Sequence, residues 1–331
     1  MLNRRQFTVA AVLAGLFPIW ALRAQTAKRI AALFAGRIDD RGFMEAGYKG
    51  LAAAKDQFGA EISWADGVKP ERPLLEEVLR KLAADKPALV VAHGGQNNDA
   101  ARTVAGEFPD VSFVVTQGNV TGANLASYEV LQEESAFLAG MLAGFTTRTG
   151  TVGHMSGIRV VPGLKGRAAF ANGVAFAAPN VKLLTNFSGN QDDSALSKKV
   201  ALAMADAGAD IIFTMLNAGR TGAIEACRER KIAQIGNVGD WVATTPDVFV
   251  ASAIADSGLA VLAACEDMMQ GKFQPGTIKK VGLSRPAAVR LSTGPGVPQA
   301  VRERLDQAAA DIVSGKLAVS TQWEGPEFAN P

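Results

Sequence analysis

A short apolar run, Ala209-Asp210-Ile211-Ile212-Phe213, breaks into the turn Leu216-Asn217-Ala218-Gly219-Arg220-Thr221-Gly222. A helical pattern follows over 223–230, then a second short run, Ile232-Ala233-Gln234-Ile235, which ends in Gly236-Asn237-Val238-Gly239-Asp240-Trp241. Short apolar strands joined through helices imply a parallel sheet, and a parallel sheet is buried on both faces. Ligands of such sheets sit beyond the carboxyl ends of the strands. The turns at 216–222 and 237–241 therefore face one crevice. Neither holds a recognisable catalytic set, so the pattern points to a chain that holds a small molecule rather than transforming it.

The same alternation runs through the rest of the chain. Strands are expected at 29–34, 61–64, 88–92, 111–115 and 124–128, with helices at 45–58, 73–84 and 133–145. The last of these is strongly apolar, with Gly140 and Gly144 suited to close packing. Arg148-Thr149-Gly150 reads as a turn, after which the pattern restarts with strands at 151–155, 181–186 and 248–254 and helices at 163–177, 194–207 and 258–270. Short strands at 278–283 and 288–291, a closing helix at 298–314 and an irregular tail complete it. At roughly 100–200 residues per domain, 331 residues favour two lobes. The expected fold is α/β: two Rossmann-like lobes with parallel sheets, joined by about three crossovers, with a ligand cleft between them. Lobe 1 is expected to take 25–149 plus about 256–282, and lobe 2 to take 150–255 plus about 283–331.

The first 24 residues read as an export signal and not as structure. Asn3-Arg4-Arg5-Gln6-Phe7-Thr8 precedes an apolar run from Val9 to Leu22, the pattern of a twin-arginine signal, with cleavage near Ala24 and a periplasmic mature protein. The competing reading is a membrane anchor, for which the run falls short of the ~20 residues a span needs. A net charge of +2 offers no concentrated basic face for nucleic acid. Cys227 and Cys265 stand in alanine-rich helical patterns and are expected to be buried free thiols, although an oxidising compartment would allow pairing. His93 and His154 lie far apart, with no second His or Cys beside either, so no metal and no cofactor are expected.

Each candidate contact has a structural rival. Phe43, just past the first strand, would stack on a flat ligand or simply pack the helix start. Asp40, like Asp39, suits the cap of that helix. Asn97 and Asn98 offer amides for a heterocycle edge, against ordinary turn chemistry. Asp192-Asp193 is either a carboxylate pair at the ligand or a helix cap. Asp240 would accept from an amine or ring N–H, since burying it unpaired is costly. Trp241 would add a π-face or pack between lobes.

Some of these residues carry a family resemblance. Asp39-Asp40-Arg41-Gly42-Phe43-Met44-Glu45-Ala46-Gly47-Tyr48-Lys49-Gly50-Leu51 resembles the signature D-K-G/S-F-N-x-x-x-Y/W-x-G-L of the basic membrane protein family. These are substrate-binding proteins of ABC importers and include purine nucleoside receptors. Phe108-Pro109-Asp110-Val111-Ser112-Phe113, Glu134-Ser135-Ala136-Phe137-Leu138-Ala139-Gly140 and Gly208-Ala209-Asp210-Ile211-Ile212-Phe213 resemble the same family, in the same order. The resemblance covers nearly all of the mature chain and implies the type I periplasmic binding protein fold. Two departures stand out. Nucleoside-binding members carry G-V-D-x-D-Q where this chain has Gly236-Asn237-Val238-Gly239-Asp240-Trp241, so Val238 replaces the first Asp and Asp240 retains the second. They also carry a Lys after the next strand's T-S pair, where this chain has Ala255. In the family that Asp and Lys contact ribose. Met44 also replaces the usual Asn after Phe43. The resemblance therefore implies a binder of a free purine base such as adenine, or of a related nucleoside.

The expectation is a monomeric, non-enzymatic periplasmic solute receptor that presents its ligand to a membrane permease. Phe43, Met44, Asp40, Asn97, Asn98, Asn217, Asp240 and Trp241 are the expected contacts. A rival binds a carboxylate, amide or sugar through Arg37, Arg159 or Arg220. An exported enzyme using Asp192 and Asp240 and a sensory ligand-binding subunit are the remaining alternatives.

Overall fold

The computed structural model describes residues 28–331; the expected export segment lies outside the described residues. The first sheet collects β1 (Arg29–Phe34), β2 (Glu61–Ala65), β3 (Leu89–His93), β4 (Ser112–Thr116) and β5 (Leu125–Val130), with α1 (Phe43–Phe58), α2 (Arg72–Ala84) and α3 (Asn98–Glu107) as crossovers. The chain then forms α4 (Gln132–Thr146), β6 (Thr151–Ser156), α5 (Val161–Ala177), β7 (Lys182–Phe187), α6 (Ser194–Asp206), β8 (Ile211–Met215), α7 (Arg220–Arg230), β9 (Ala233–Val238), the single turn α8 (Trp241–Thr244) and β10 (Phe249–Ala255). It closes with α9 (Ser257–Met269), β11 (Ile278–Val281), β12 (Val289–Thr293) and α10 (Gln299–Val313).

The sheets run β11-β5-β4-β3-β1-β2 and β12-β10-β9-β8-β6-β7. Every pairing is parallel except that of β12 with β10. β3 is buried along its whole length and β1 at all but its first residue, as apolar strands between two helical layers must be. In α1, Met44, Gly47, Leu51 and Ala54 form the buried stripe at helical spacing. That helix starts where the Asp40 carboxylate accepts from the N–H groups of Gly42, Met44 and Glu45, at 2.8, 3.1 and 3.0 Å, and stops at Gly59 with φ 67°.

One lobe assignment needs correction. Helix α4 was expected with lobe 1, inside 25–149, but it packs on α5, β10, β12 and α10 and so belongs to the second lobe. A Cβ on Gly140 would stand 2.1 Å from the Phe170 carbonyl oxygen, and one on Gly173 equally close to that of Phe137. The two backbones touch there, and no side chain fits between them. The chain therefore leaves the first sheet at Leu131. It returns after Ala255, where α9 packs on α1, β3, β4 and β5, and crosses a third time between β11 and β12. Lys165 of α5 spans the first crossing, pairing with Glu133 at 2.9 Å and with Glu129 of β5.

The tail covers the otherwise open β7 edge: the Phe328 N–H donates to the Thr185 carbonyl at 2.7 Å and the Asn186 amide to the Phe328 carbonyl at 2.8 Å. Cys227 in α7 and Cys265 in α9 are free and buried, one in each lobe, and burial pushes both thiols up to about 12. Among the described residues no helix is long and apolar enough to cross a membrane.

Candidate ligand-binding cleft

The carboxyl ends of both sheets face each other across a cleft of about 70 Å³. Lobe 1 contributes Phe43, Met44, Gly95 and Gln96, and Gln132 enters from the first crossing. Lobe 2 contributes Ser156, Gly157, Ile158, Val160, Pro162 and Gly163 of one loop, with Gln191, Met215, Asn217, Asn237 and Val238. None of these side chains carries a formal charge. The lobes are in contact: the Phe43 N–H donates to Asn217 Oδ1 at 3.4 Å, and Gly95 lies against Pro162.

The first wall is a stacked pair. His93 ends β3, fully buried, with Nε2 2.9 Å from the Phe43 carbonyl oxygen and Nδ1 2.7 Å from Thr116 Oγ1. A carbonyl only accepts, so Nε2 carries the hydrogen and Nδ1 accepts from the threonine hydroxyl. Both nitrogens are used by the neutral ring, and burial lowers its pKa to about 4. The His93 ring lies on Phe43 at 4.2 Å between centroids and 22° between planes. One face of Phe43 is therefore covered, and Phe43 otherwise lines the cleft. Gly47 makes room for this arrangement: a Cβ there would stand 2.5 Å from His93 Nε2.

The second wall is built on a buried cation. Arg220 is 2% exposed. Its guanidinium donates to the Thr214 carbonyl and hydroxyl at 3.3 Å, to the Leu216 carbonyl, and to Asn237 Oδ1 at 2.5 Å. The Trp241 ring covers it at 4.4 Å, and Trp241 Nε1 donates to the Asn237 carbonyl at 3.0 Å. Among the described residues no carboxylate bonds to this guanidinium, and the buried Asp40 acts on it only through space. Burial pushes its pKa down to about 9, which leaves it charged at neutral pH. Arg220 Nε has no partner. Next to Asn237, Val238 sits at φ 68°, a left-handed conformation that is a marked exception for a β-branched residue.

The structure gathers three of the sequence-derived candidates, Phe43, Met44 and Asn217, in this cleft. The others have different partners. Asp40 caps α1, and burial pushes its carboxyl up against the pull of three backbone N–H groups. Asn97 is fully buried and donates to the carbonyls of His93 and Gly94, leaving its Oδ1 without a partner. Asn98 ties down Asn119 in the β4–β5 loop. Asp240 caps α8 and accepts from Ser292 at 3.0 Å. Together with Trp241 it borders a wider groove among Arg41, Glu45, Asp256 and Arg290, which meets the cleft at Val238. Of the three arginines, Arg37 pairs with Asp39 and Arg159 with Glu327. Asp193 caps α6 and Asp192 accepts from the Ala218 N–H. No group of three or more metal-ligating side chains occurs among the described residues.

Sequence reasoning places the 237–241 turn at the crevice without naming Asn237 as a contact, and misses Gln96, Gln132, Gln191 and Met215 as cleft residues and His93 as the support of Phe43. Each lies at or just past the carboxyl end of a strand, Gln132 two residues beyond β5, which is the signal that could have found them.

Comparisons with known proteins agree with this architecture. The family model described as "ABC transporter substrate-binding protein PnrA-like" matches residues 27–320. The transcriptional activator protein med of Bacillus subtilis (strain 168) is 22% identical over 75% of this chain and 77% of its own. A purine-binding protein of Brucella abortus (strain 2308) is 23% identical over 93% of this chain and 87% of its own. A solute-binding protein of an ABC transporter system from Aeropyrum pernix K1 superposes with a TM-score of 0.80 at 19% identity, over 90% of this chain and 94% of that one. That likeness establishes the fold as that of periplasmic solute-binding proteins. With its family model spanning nearly all of the described residues, the chain belongs to the PnrA-like ABC transporter substrate-binding proteins.

Proposed function

We propose that this protein binds an uncharged, planar, polar molecule of purine-base size between its lobes and presents it, in the periplasm, to a membrane permease. The observation that carries this reading is the cleft lining: one stacking ring, several apolar side chains, five carboxamides and no charge. A carboxylate or phosphate would need a cation in contact, and an amine or polyol receptor usually supplies a carboxylate. Phe43, Met44 and Asn217 serve as contacts together with Asn237, Gln96, Gln132 and Gln191, while Asp40, Asn97 and Trp241 hold the walls in place and Asn98 and Asp240 stand outside the cleft. Val238 lies in the cleft where nucleoside-binding members carry the ribose-contacting Asp, which supports a base over a nucleoside. The protein acts as a monomeric receptor and not as an enzyme.

The test is a thermal-shift screen of the chain from Gln25, confirmed by calorimetry, across purine and pyrimidine bases, nucleosides, sugars, amino acids and carboxylates. A ligand bound only by the folded state raises the melting temperature by mass action. Shifts with free bases are expected. Shifts confined to carboxylates or sugars would overturn the reading. A relative named as a transcriptional activator favours a second reading, in which ligand state is signalled and not transported. Uptake that survives deletion of this protein would support it.

A further inference from the structure

The cleft lining suits a class of ligand without fixing which way its polar edge faces. A carboxamide usually gives no answer, because its oxygen and nitrogen can exchange places by rotation and it then donates or accepts as required. Asn237 lacks that freedom. Its oxygen faces Arg220 at 2.5 Å, and a guanidinium has donors and no acceptor. Rotating the amide would set NH₂ against N–H of a buried cation that no described carboxylate neutralises. The other ties hold the arginine still: three further bonds to Thr214 and Leu216, and the Trp241 ring over its face. Trp241 also bonds the Asn237 carbonyl, so the backbone of the residue is held from the same side.

We infer, building on the function proposed above, that Arg220 locks the Asn237 amide with its NH₂ group turned to the cleft. The ligand must then meet Asn237 with a hydrogen-bond acceptor, and the base-sized ligands the lock selects present there an exocyclic carbonyl oxygen in the place where an amino analogue carries its NH₂ group. The uncompensated charge behind the amide polarises its N–H bonds and strengthens the preference for a carbonyl oxygen. The ligand class narrows to oxo-heterocycles of base size, and Arg220 is a positioning residue that fixes specificity without touching the ligand.

Matched oxo and amino pairs test this: hypoxanthine against adenine, and uracil against cytosine, titrated calorimetrically into the full mature chain. An oxo preference of about tenfold or more is expected within whichever pair binds, since an amino group facing the locked NH₂ leaves two buried donors unpaired. Arg220→Met removes the lock, and the ratio should fall toward one. Arg220→Lys keeps a donor against Asn237 Oδ1 and should restore part of the ratio, which a merely structural role for the arginine would not do. Asn237→Asp presents an acceptor to the cleft and should invert the ratio, giving a readout even if Arg220→Met does not fold. Equal or tighter binding of the amino partners by the unaltered protein, or a ratio unchanged in Arg220→Met or Asn237→Asp, overturns the lock while leaving the base-binding reading intact. Failure of all four heterocycles to bind overturns both.

Discussion

The two walls of the cleft solve the same problem with different chemistry. Phe43 is held by a neutral ring, His93, whose two nitrogens are both satisfied. Asn237 is held by a buried guanidinium that keeps its charge and leaves Nε unpaired, beside a strained Val238. A stacking platform needs only to be in the right place, and a neutral support does that at little cost. A hydrogen-bonding edge also needs a defined polarity, and a donor-only group imposes it. The cost is a desolvated cation, and buried cations without a carboxylate partner are expensive.

Acid should break the first wall before the second. Folding keeps His93 neutral where the imidazole of an unfolded chain would take a proton. Its contribution is complete above about pH 6.5 and is lost as pH falls toward 4. The drop from 6.5 to about 4 corresponds to about 3 kcal/mol. His154, whose pKa burial lowers to about 3 on the second sheet, adds to the loss. Asp40 and Asp256, whose carboxyls burial pushes up, act in the opposite direction, since as pH falls the folded chain takes up those protons before the unfolded one does. Urea unfolding at pH 7 and pH 4.5 measures the sum, and His93→Gln should lose markedly less on acidification. Equal losses would remove His93 from the account.

Phe43→Ala should weaken binding by about 2 kcal/mol, roughly thirtyfold, through lost stacking and buried area. Asp240→Asn, in the outer groove, should change affinity less than twofold. Comparable losses from both would mean that the charged groove, and not the uncharged cleft, holds the ligand. A smaller effect belongs to Val238→Asn, since asparagine tolerates positive φ. The variant should gain about 1 kcal/mol of stability, read as a higher urea midpoint. Salt should matter least. Raising NaCl from about 0.05 to about 0.5 M shortens the Debye length from roughly 14 to roughly 4 Å, yet with no charge in contact the affinity should move less than twofold.

Strand and helix positions were readable because apolar runs and helical stripes are local properties. The lobe of α4 was not. Eleven of that helix's fifteen residues are buried and none is exposed, so its pattern shows no preferred face, and its place depends on the glycine contact with α5. Asn217 is legible from its strand-end position alone, and Phe43 from its place past the first strand together with the family signature. Asp240 was correctly placed at a strand end but reads as a ligand carboxylate only while the cap of the single-turn α8 is unseen. Arg220 looked like one of three crevice arginines. Only tertiary structure shows that Arg37 and Arg159 have carboxylate partners and that Arg220 instead sits beneath Trp241, bonded to Asn237.

The three crossings also bear on how the chain matures. Neither sheet is complete in a contiguous stretch: β5 awaits β11, and β10 awaits β12. Until residues 278–293 are available, a growing or truncated chain leaves β5 and β10 as unpaired edges, with the β7 edge open as well until the tail follows, each able to pair with a second molecule. Chains ending before 278 are therefore the ones for chaperones to guard, and a fragment cut there should aggregate instead of yielding one sound lobe.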